Sequence, residues 1–341
     1  MIDHAQGYTQ DQTTSRPNTL LDDADDIQRQ LDNEVRDRLQ YGQPKTIWVF
    51  HIPTQFPEIL TSPLNLVKRF HIMSKGKYKN HNINEDSKGT MIKRWSFKDQ
   101  NKWFQNYPEC NGRSQSPVNI PTKGLIEAKH SRSLIFANYD LRPHSYNLRY
   151  IKDQPRVILF GFWDPNRRPM VYGGAAHSRR YLFHSMSLRW PSEHRIEGVQ
   201  CPLETQVLHI SAEYRTMGDA IAAAPRDRLA FLGIVNLFMY QNRTQRGVKE
   251  IIMAMKTRRF NSTIPLPLSY FNPPFKKYAC YQGSLTAPPC TETVLWLIRA
   301  KSLPITRHEA QSLQNLMTEE YQGSLLRQTQ PLNDRKIYLF N

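Results

Sequence analysis

The sequence of 341 residues lacks several features that assign a protein to a class directly. It has no apolar run of about 18 residues, so no transmembrane helix is predicted and we do not expect an integral membrane protein. The first residues have neither a basic start nor an apolar middle, and no signal peptide is predicted. We find no internal repeat, which argues against a propeller or a solenoid.

Cysteine is also scarce. The four residues Cys110, Cys201, Cys280 and Cys290 are too few for a disulfide framework, and their spacing is not that of a zinc ribbon. Taken alone, they are best interpreted as buried small apolar residues. Two sequons for N-glycosylation, at Asn242 and Asn261, would matter only in a secreted protein.

What the chain does contain is a core-forming composition and a positive charge. Hydrophobic residues make up 39% of the chain, which is enough to bury a sizeable core. The formal net charge is +16, although residues 1–44 hold nine acids and four bases, a local charge of −5. A surface of this charge could bind an anionic glycan or another polyanion, or could simply keep the protein soluble. No nucleic-acid partner is predicted, because no recognised binding motif or platform of stacking aromatic residues is present.

The chain divides into three parts. Residues 1–44 form an acidic tail in which apolar residues recur every three to four positions over 19–40, the spacing of an amphipathic helix. This helix could stand alone on the tail, or dock on a partner or on the main domain. Residues 45–92 are rich in Pro, Asn and Lys and resemble a linker. Residues 93–341 are predicted to form the main domain.

Short apolar segments separated by turn residues dominate the main domain. They are rich in Val, Ile, Phe and Trp, and they are predicted to be strands of one large sheet. The predicted strands are 156–163, 180–190, 205–211, 228–240 and 293–300. A helix is predicted at 306–317, where Thr306 and Glu309 form a T-x-x-E capping box.

Five segments in this domain carry a family resemblance. They are CNGRSQSPVNI (110–120), SEH (192–194) followed by LETQVLHIS (203–211), RLAFLGI (228–234), YQGSLTAPPCTETVLWLI (281–298) and QPLNDRKI (330–337). In this order they resemble the α-carbonic anhydrases, and the resemblance covers roughly residues 93–341. It implies a mostly β fold, with a large, twisted, mainly antiparallel sheet, peripheral helices and a conical cleft.

The resemblance also implies where a metal would bind. Active members hold zinc with three histidines, two of them two residues apart on one strand, where side chains share a face, and one on the neighbouring strand. Matched through Trp190 and Glu204, these positions are Ser187, Arg189 and Gln206 in this sequence. Serine and glutamine are poor zinc ligands, and arginine keeps its positive charge. We therefore expect no zinc, no other cofactor and no carbonate dehydratase activity.

One alternative is a carbonic anhydrase with relocated metal ligands that uses His184. That residue lies an odd number of positions from Ser187 and from Arg189. On a regular strand it would face the opposite side of the sheet, so we do not expect it to replace them.

Other parts of the family's apparatus are matched. Glu193 and Thr286 match the carboxylate and hydroxyl that orient the attacking water. Arg156 falls at the position of the proton-shuttle histidine, and arginine cannot shuttle protons near neutral pH. The residues that match buried supports of the ligands are His194, Glu204 and His209. The apolar wall of the cleft is matched by Leu208, Phe231, Val294 and Trp296, with Phe231 expected to narrow the pocket.

These departures resemble the carbonic anhydrase-related proteins, which keep the fold without the activity. The segment 281–298 and the following helix are most similar to the secreted type ten and eleven branch. The resemblance implies a secreted, non-enzymatic recognition or adhesion module that binds a cell-surface or extracellular protein. The alternative from charge is a module that binds a polyanion or glycan.

Two structural expectations follow from the resemblance. Cys110 and Cys290 lie where secreted members carry a bridging pair, so we expect a disulfide between them, with Cys201 and Cys280 free. An unpaired buried charge is costly, so Arg189 should form a charge-assisted hydrogen bond with Glu204 or Glu193, with Gln206 completing the cluster.

Overall fold

A computed structural model describes residues 95–129, 132–151, 156–258, 265–318 and 326–341. The interpretations of residues 1–44, of the helix over 19–40, of the segment 45–92 and of the sequon at Asn261 lie outside the described residues. None of the helices in the described ranges is long and apolar enough to cross a membrane.

The described residues are mostly strands. These are β1 (Asn119–Ile120), β2 (Ile126–Glu127), β3 (Leu134–Ala137), β4 (Ser145–Ile151), β5 (Arg156–Phe162), β6 (Met170–Gly173), β7 (Tyr181–Arg189), β8 (Arg195–Ile196), β9 (Val199–Gln200), β10 (Leu203–Ser211), β11 (Phe231–Tyr240), β12 (Tyr278–Gly283), β13 (Val294–Arg299), β14 (Leu303–Ile305) and β15 (Tyr338–Phe340).

Helices are short and lie between the strands. The α-helices are α1 (Trp103–Asn106), α2 (Met217–Ala222), α3 (Arg246–Lys256) and α4 (Arg307–Thr318), and the 3₁₀ helices are Phe97–Lys102, Pro108–Asn111, Pro165–Arg167, Gly174–Ala176 and Leu268–Tyr270. The helix predicted at 306–317 is present as α4. Only half of its predicted capping box is formed: the Glu309 backbone N–H donates to the Thr306 hydroxyl at 3.2 Å, but the Thr306 backbone N–H donates to the Thr244 hydroxyl at 2.9 Å and not to the Glu309 carboxylate.

Twelve strands form one large sheet, and β1, β8 and β9 form a small one. The main path of the large sheet runs β2-β15-β12-β13-β11-β10-β7-β5-β4, with β14 on β11, β6 on β7 and β3 on β6. The pairs β11–β13, β11–β14 and β2–β15 are parallel, and the other described pairs of this sheet are antiparallel. The large, mostly β fold inferred from the sequence is confirmed, as a mixed sheet dominated by antiparallel pairs.

The central strands are buried on both faces, which explains their almost uninterrupted apolar sequences. In β11, Leu232, Ile234 and Phe238 belong to one core cluster, while Phe231 and Val235 belong to a second cluster on the other face. The sheet therefore separates two cores, and the candidate site lies on the face of the second.

All five predicted strands are present, but the strand predicted at 228–240 begins only at Phe231. Asp227 explains the later start, because its carboxylate accepts the backbone N–H of Leu229 at 2.9 Å and holds the chain in a turn. A local side-chain hydrogen bond of this kind competes with the ladder of a strand.

Candidate functional site

The candidate site is built on two adjacent antiparallel strands, β7 and β10. In their register Ser187 is opposite Gln206, and Arg189 is opposite Glu204. Because residues two apart on a strand share a face, all four side chains lie on the same side of the sheet. The fold therefore brings the three positions identified from the sequence together with Glu204.

Arg189 is buried against a carboxylate. Its side chain is 5% exposed, and its Nε lies 3.1 Å from Oε2 of the fully buried Glu193. Its Nη1 donates to the Leu188 carbonyl at 3.1 Å. The contact with Glu193 is an ion pair, but the Nε–H is not aligned as a hydrogen bond. The partner is thus the second of the two expected carboxylates, and the expected hydrogen bond is not formed.

Gln206 connects the two carboxylates of the site. Its Nε2 donates to Glu193 Oε2 and to Glu204 Oε1, both at 2.8 Å, and its Oε1 accepts from the Thr286 hydroxyl at 3.2 Å. The opposite amide orientation would place Oε1 against two carboxylates, so these neighbours fix the side chain in one orientation. Both amide hydrogens of Gln206 are used within the cluster.

Glu204 is held by the histidine expected beside it. Its Oε2 accepts the backbone N–H of His194 at 2.7 Å, and its Oε1 lies 2.8 Å from His194 Nδ1. Burial raises the pKa of the Glu204 carboxyl, but the charge of His194 and the hydrogen bonds from His194 and Gln206 outweigh it, and the net pKa lies below its usual value. His194 Nε2 in turn lies 2.8 Å from the Tyr281 hydroxyl.

Comparison with known proteins places this arrangement in a family. A family model described as eukaryotic-type carbonic anhydrase matches residues 98–341, well over half of the chain. The chain belongs to this family.

Individual relatives agree with the family model at modest identity. The chain is 26% identical to carbonic anhydrase 3 of Homo sapiens over 267 residues, which cover 72% of this chain and 98% of the relative. It is 28% identical to carbonic anhydrase 3 of Mus musculus over 244 residues, which cover 67% of this chain and 88% of the relative. For the Bos taurus protein of the same name, the identity is 29% over 244 residues, covering 66% and 88%.

The residues at the three positions where the resemblance led us to expect metal ligands do not fit a zinc ion. The Gln206 amide oxygen already accepts the Thr286 hydroxyl, and Arg189 brings a permanent positive charge. Ser187 offers only a neutral hydroxyl. In the described ranges no group of three or more His, Cys, Asp or Glu side chains could hold a metal ion.

The expected pairing of Thr286 with Glu193 is not the contact that the structure shows. Gln206 lies between them and bonds to both. Glu193 Oε1 instead accepts the backbone N–H of Arg327 at 3.2 Å. The Gln206 amide has both a donor and an acceptor, so it bridges the carboxylate of Glu193 and the hydroxyl of Thr286.

His184 lies at an irregular point of β7, so the alternation used to assign its face from the sequence does not apply. The register between β7 and β10 shifts so that Leu208 faces Ser185 while His209 faces Phe183, which leaves His184 as an extra residue in a bulge. Counting odd and even positions does not assign a face across a bulge. The His184 Nδ1 lies 2.9 Å from the Ser185 hydroxyl, and burial lowers its pKa to about 4, with Arg168 contributing.

His209 lies on the opposite face of β10, away from the cluster. Its Nδ1 lies 3.3 Å from the Leu232 carbonyl, which can only accept, so Nδ1 carries the proton. Nε2 then accepts from the Tyr139 hydroxyl at 2.7 Å. Burial lowers the pKa of His209 to about 3, so the ring is a neutral part of the core.

The apolar wall matched from the sequence lies beside the polar cluster. Phe231 is opposite Val294 in the parallel pair of β11 and β13, and both are fully buried. Trp296 follows on the same face of β13 and donates its Nε1–H to the Ser284 carbonyl at 3.0 Å. Leu208 packs against the same core cluster. Arg156 begins β5, but its side chain lies outside the part that the structure describes.

Arg327 also contacts the polar cluster, and no prediction from the sequence included it. Its guanidinium donates to the Ser116 carbonyl at 2.8 Å and to Gln115 Oε1 at 2.9 Å, and its backbone N–H reaches Glu193. It joins three segments that are far apart in the chain, and no motif in its own neighbourhood indicates this. Its contact with the Cys110 carbonyl at 3.3 Å also connects the site to the disulfide.

The expected disulfide is confirmed. Cys110 and Cys290 are bridged across a sequence separation of 180, with their Cα atoms 4.9 Å apart. Cys201 and Cys280 are free and buried, as expected. Burial raises the pKa of the Cys280 thiol to about 12, so it remains a protonated core residue at neutral pH.

Proposed function

We propose that this protein is a catalytically inactive carbonic anhydrase-related protein, most similar to the secreted type ten and eleven branch, that acts as a recognition or adhesion module. The observation that carries the proposal is the replacement of the ligand positions by Ser187, Arg189 and Gln206. Of these, Arg189 and Gln206 belong to a buried cluster in which Arg189 is paired with Glu193.

The chemistry of this cluster supports the proposed loss of carbonate dehydratase activity. A zinc ion would have to enter beside the Arg189 guanidinium, which cannot lose its proton at physiological pH. It would also have to displace the Gln206 amide from both carboxylates. The carbonic anhydrase reaction needs a water whose pKa the metal lowers, and the side chains at these three positions offer little to bind that metal.

The disulfide supports a location outside the cytosol. Bridges such as Cys110–Cys290 persist in oxidising compartments and are rare where thiols are kept reduced. A secreted domain without a catalytic site is suited to binding another protein, and we propose a cell-surface or extracellular protein as the partner.

The test of inactivity measures zinc content and CO₂ hydration on the purified full chain. We expect far less than one zinc per chain and a hydration rate equal to that of buffer. The triple variant Ser187→His, Arg189→His, Gln206→His is the positive control, because it restores three imidazoles at the ligand positions, and it should bind zinc. One zinc per wild-type chain, lost on His184→Ala, would instead establish a relocated metal site.

The positive charge keeps a second candidate open, which is binding of a polyanion or an anionic glycan. The net charge of +16 favours it, and such binding weakens steeply as salt is added. Two assays distinguish a protein partner from a glycan: a pull-down of surface proteins in physiological salt, and retention of the chain on heparin. Capture of one receptor that survives 0.5 M salt supports the protein partner, while heparin retention alone supports the glycan.

A further inference from the structure

The turn between β11 and α3 presents one of the two sequons, Asn242-Arg243-Thr244, at the surface. Asn242 is exposed, as are Gln241 and Arg243 on either side. Within the described part of the chain, the Asn242 carboxamide makes no hydrogen bond that a modification would break. A bulky group could therefore be attached there without displacing a packed side chain.

Two large apolar side chains are exposed immediately before this turn. Met239 is 42% exposed and Tyr240 is 44% exposed, and they point to opposite faces of β11. The Gln241 backbone N–H donates to the Ile305 carbonyl at 2.9 Å, which completes the pairing of Tyr240 with Ile305 at the end of the strand. Asn242 follows two residues after Tyr240, at the start of a bend. Since residues two apart on a strand share a face, the alternation of β11 puts the Asn242 position nearer to Tyr240 than to Met239.

The Tyr240 ring is already held in place. The Arg307 guanidinium lies 4.4 Å from its centroid, as a cation–π contact that orders the ring. A large part of the ring nevertheless remains exposed. An ordered, half-exposed aromatic surface beside an attachment point is a platform on which a sugar ring can bury its apolar face at little cost in conformational freedom.

We propose that Asn242 carries an N-linked glycan whose first N-acetylglucosamine packs on Tyr240. In the attachment step, the Asn242 amide nitrogen forms a bond to C1 of the sugar, the bond from C1 to a lipid-linked pyrophosphate breaks, the amide loses one proton and the pyrophosphate leaves. The inference rests on the proposed passage through the secretory pathway, because that is where the lipid-linked donor is found.

The experiment routes the full chain through the secretory pathway of a eukaryotic cell with an added leader, and in parallel examines the protein isolated from its natural source. Trypsin cuts after Arg228 and Arg243, so Asn242 and Asn261 fall on different peptides. Deglycosylation by an amidase converts a glycosylated asparagine to aspartate, which mass spectrometry detects. We expect most of the peptide ending at Arg243 to be converted, and Asn242→Gln to remove that signal.

Packing on Tyr240 is measured by thermal unfolding of forms that differ only in the glycan. Trimming to a single N-acetylglucosamine should leave the melting temperature unchanged, while Asn242→Gln should lower it by about 2–4 °C. In a Tyr240→Ala background that difference should disappear. In the matched Met239→Ala background, on the opposite face of the strand, it should persist.

The outcomes separate this inference from the proposed function. An unmodified Asn242 peptide in the leader-routed chain overturns the glycan, whatever the native location. A modified peptide with a melting-temperature difference that survives Tyr240→Ala overturns the packing. An unmodified Asn242 in the protein isolated from its natural source, with Asn242 modified in the leader-routed chain, overturns the native secretion on which both proposals depend.

Discussion

The buried ion pair between Arg189 and Glu193 makes a specific prediction about stability. Arg189 is 5% exposed and Glu193 is fully buried, with Nε and Oε2 3.1 Å apart. We expect Arg189→Met, which keeps much of the volume but removes the charge, to destabilise the domain strongly. The reason is that Glu193 would remain buried as a carboxylate with no positive charge beside it.

The size of the effect can be worked from the geometry. Two unit charges 3.1 Å apart attract each other by about 5 kcal/mol at an effective dielectric constant of about 20. Desolvation of both groups offsets most of this attraction, so the pair itself adds little to the free energy of unfolding. Removing one partner leaves the desolvation cost of the other unopposed, which amounts to about 3–5 kcal/mol. Glu193 keeps hydrogen bonds from Gln206 and from the Arg327 backbone, so the lower part of that range is expected.

The assay is urea unfolding followed by tryptophan fluorescence, for which the chain has six tryptophans. Adding Glu193→Gln to Arg189→Met should recover at least half of the loss, since the stranded charge is then gone. The matched control is the exposed pair Arg113–Asp334, whose side chains are 84% and 94% exposed at a distance of 3.3 Å. Arg113→Met should change the free energy of unfolding by less than about 1 kcal/mol.

Two results would refute this reasoning. A loss below about 1 kcal/mol for Arg189→Met would mean that Glu193 is solvated or protonated in the native protein. A double variant as unstable as the sum of the two single variants would mean that the pair is not coupled.

Two further predictions concern the rest of the domain. Replacing Cys110 and Cys290 by serine should lower the free energy of unfolding by up to about 5 kcal/mol on the chain-entropy model, because the bridge closes a loop with a sequence separation of 180. Urea unfolding of the oxidised wild type and of the variant measures this difference. Acid should also destabilise the domain, because the pKa of His209 in the folded protein is about 3, below its ordinary value. The contribution of the neutral ring to the free energy of unfolding is therefore complete above about pH 6.5 and is lost as the pH falls toward 3. By pH 5 this amounts to about 2 kcal/mol. Urea unfolding measured between pH 7 and pH 5 should show this fall in the free energy of unfolding, and His209→Gln should make its dependence on pH less steep. An unchanged pH dependence in the variant would mean that His209 titrates normally in the folded protein.

Much of the sheet could be predicted because its strands are buried on both faces. Segments such as β11 and β13 are almost uninterrupted apolar runs, and the family resemblance implied one large, mainly antiparallel sheet. The helix α3 was missed, although Val248, Ile251, Ile252 and Met255 are its buried residues and follow helical spacing. The apolar Met253 and Ala254 interrupt the polar face and obscured a pattern that a count of periodicity would have found.

The site was predictable where it depends on strand register and unpredictable where it depends on distant segments. Positions two apart on β7, and their partners on β10, follow from alternation. The bulge at His184 has no such signal, because nothing in the local sequence marks where a strand gains a residue. Arg327 reaches Glu193 from the far end of the chain, and only the folded structure brings them together.

The polar cluster shows how the fold accommodates two buried carboxylates. Glu193 and Glu204 are buried, and a buried carboxylate is costly unless it has hydrogen-bond donors or a positive charge beside it. In this chain Gln206 gives one N–H to Glu193 and one to Glu204, His194 gives two contacts to Glu204, and Arg189 supplies the positive charge beside Glu193. Arg189→His alone would therefore remove a charge that Glu193 needs without supplying a complete set of metal ligands. We infer that Arg189 and Gln206 act as a unit, which predicts that Arg189→His or Gln206→His alone destabilises the domain and that zinc binds only when all three positions are histidine.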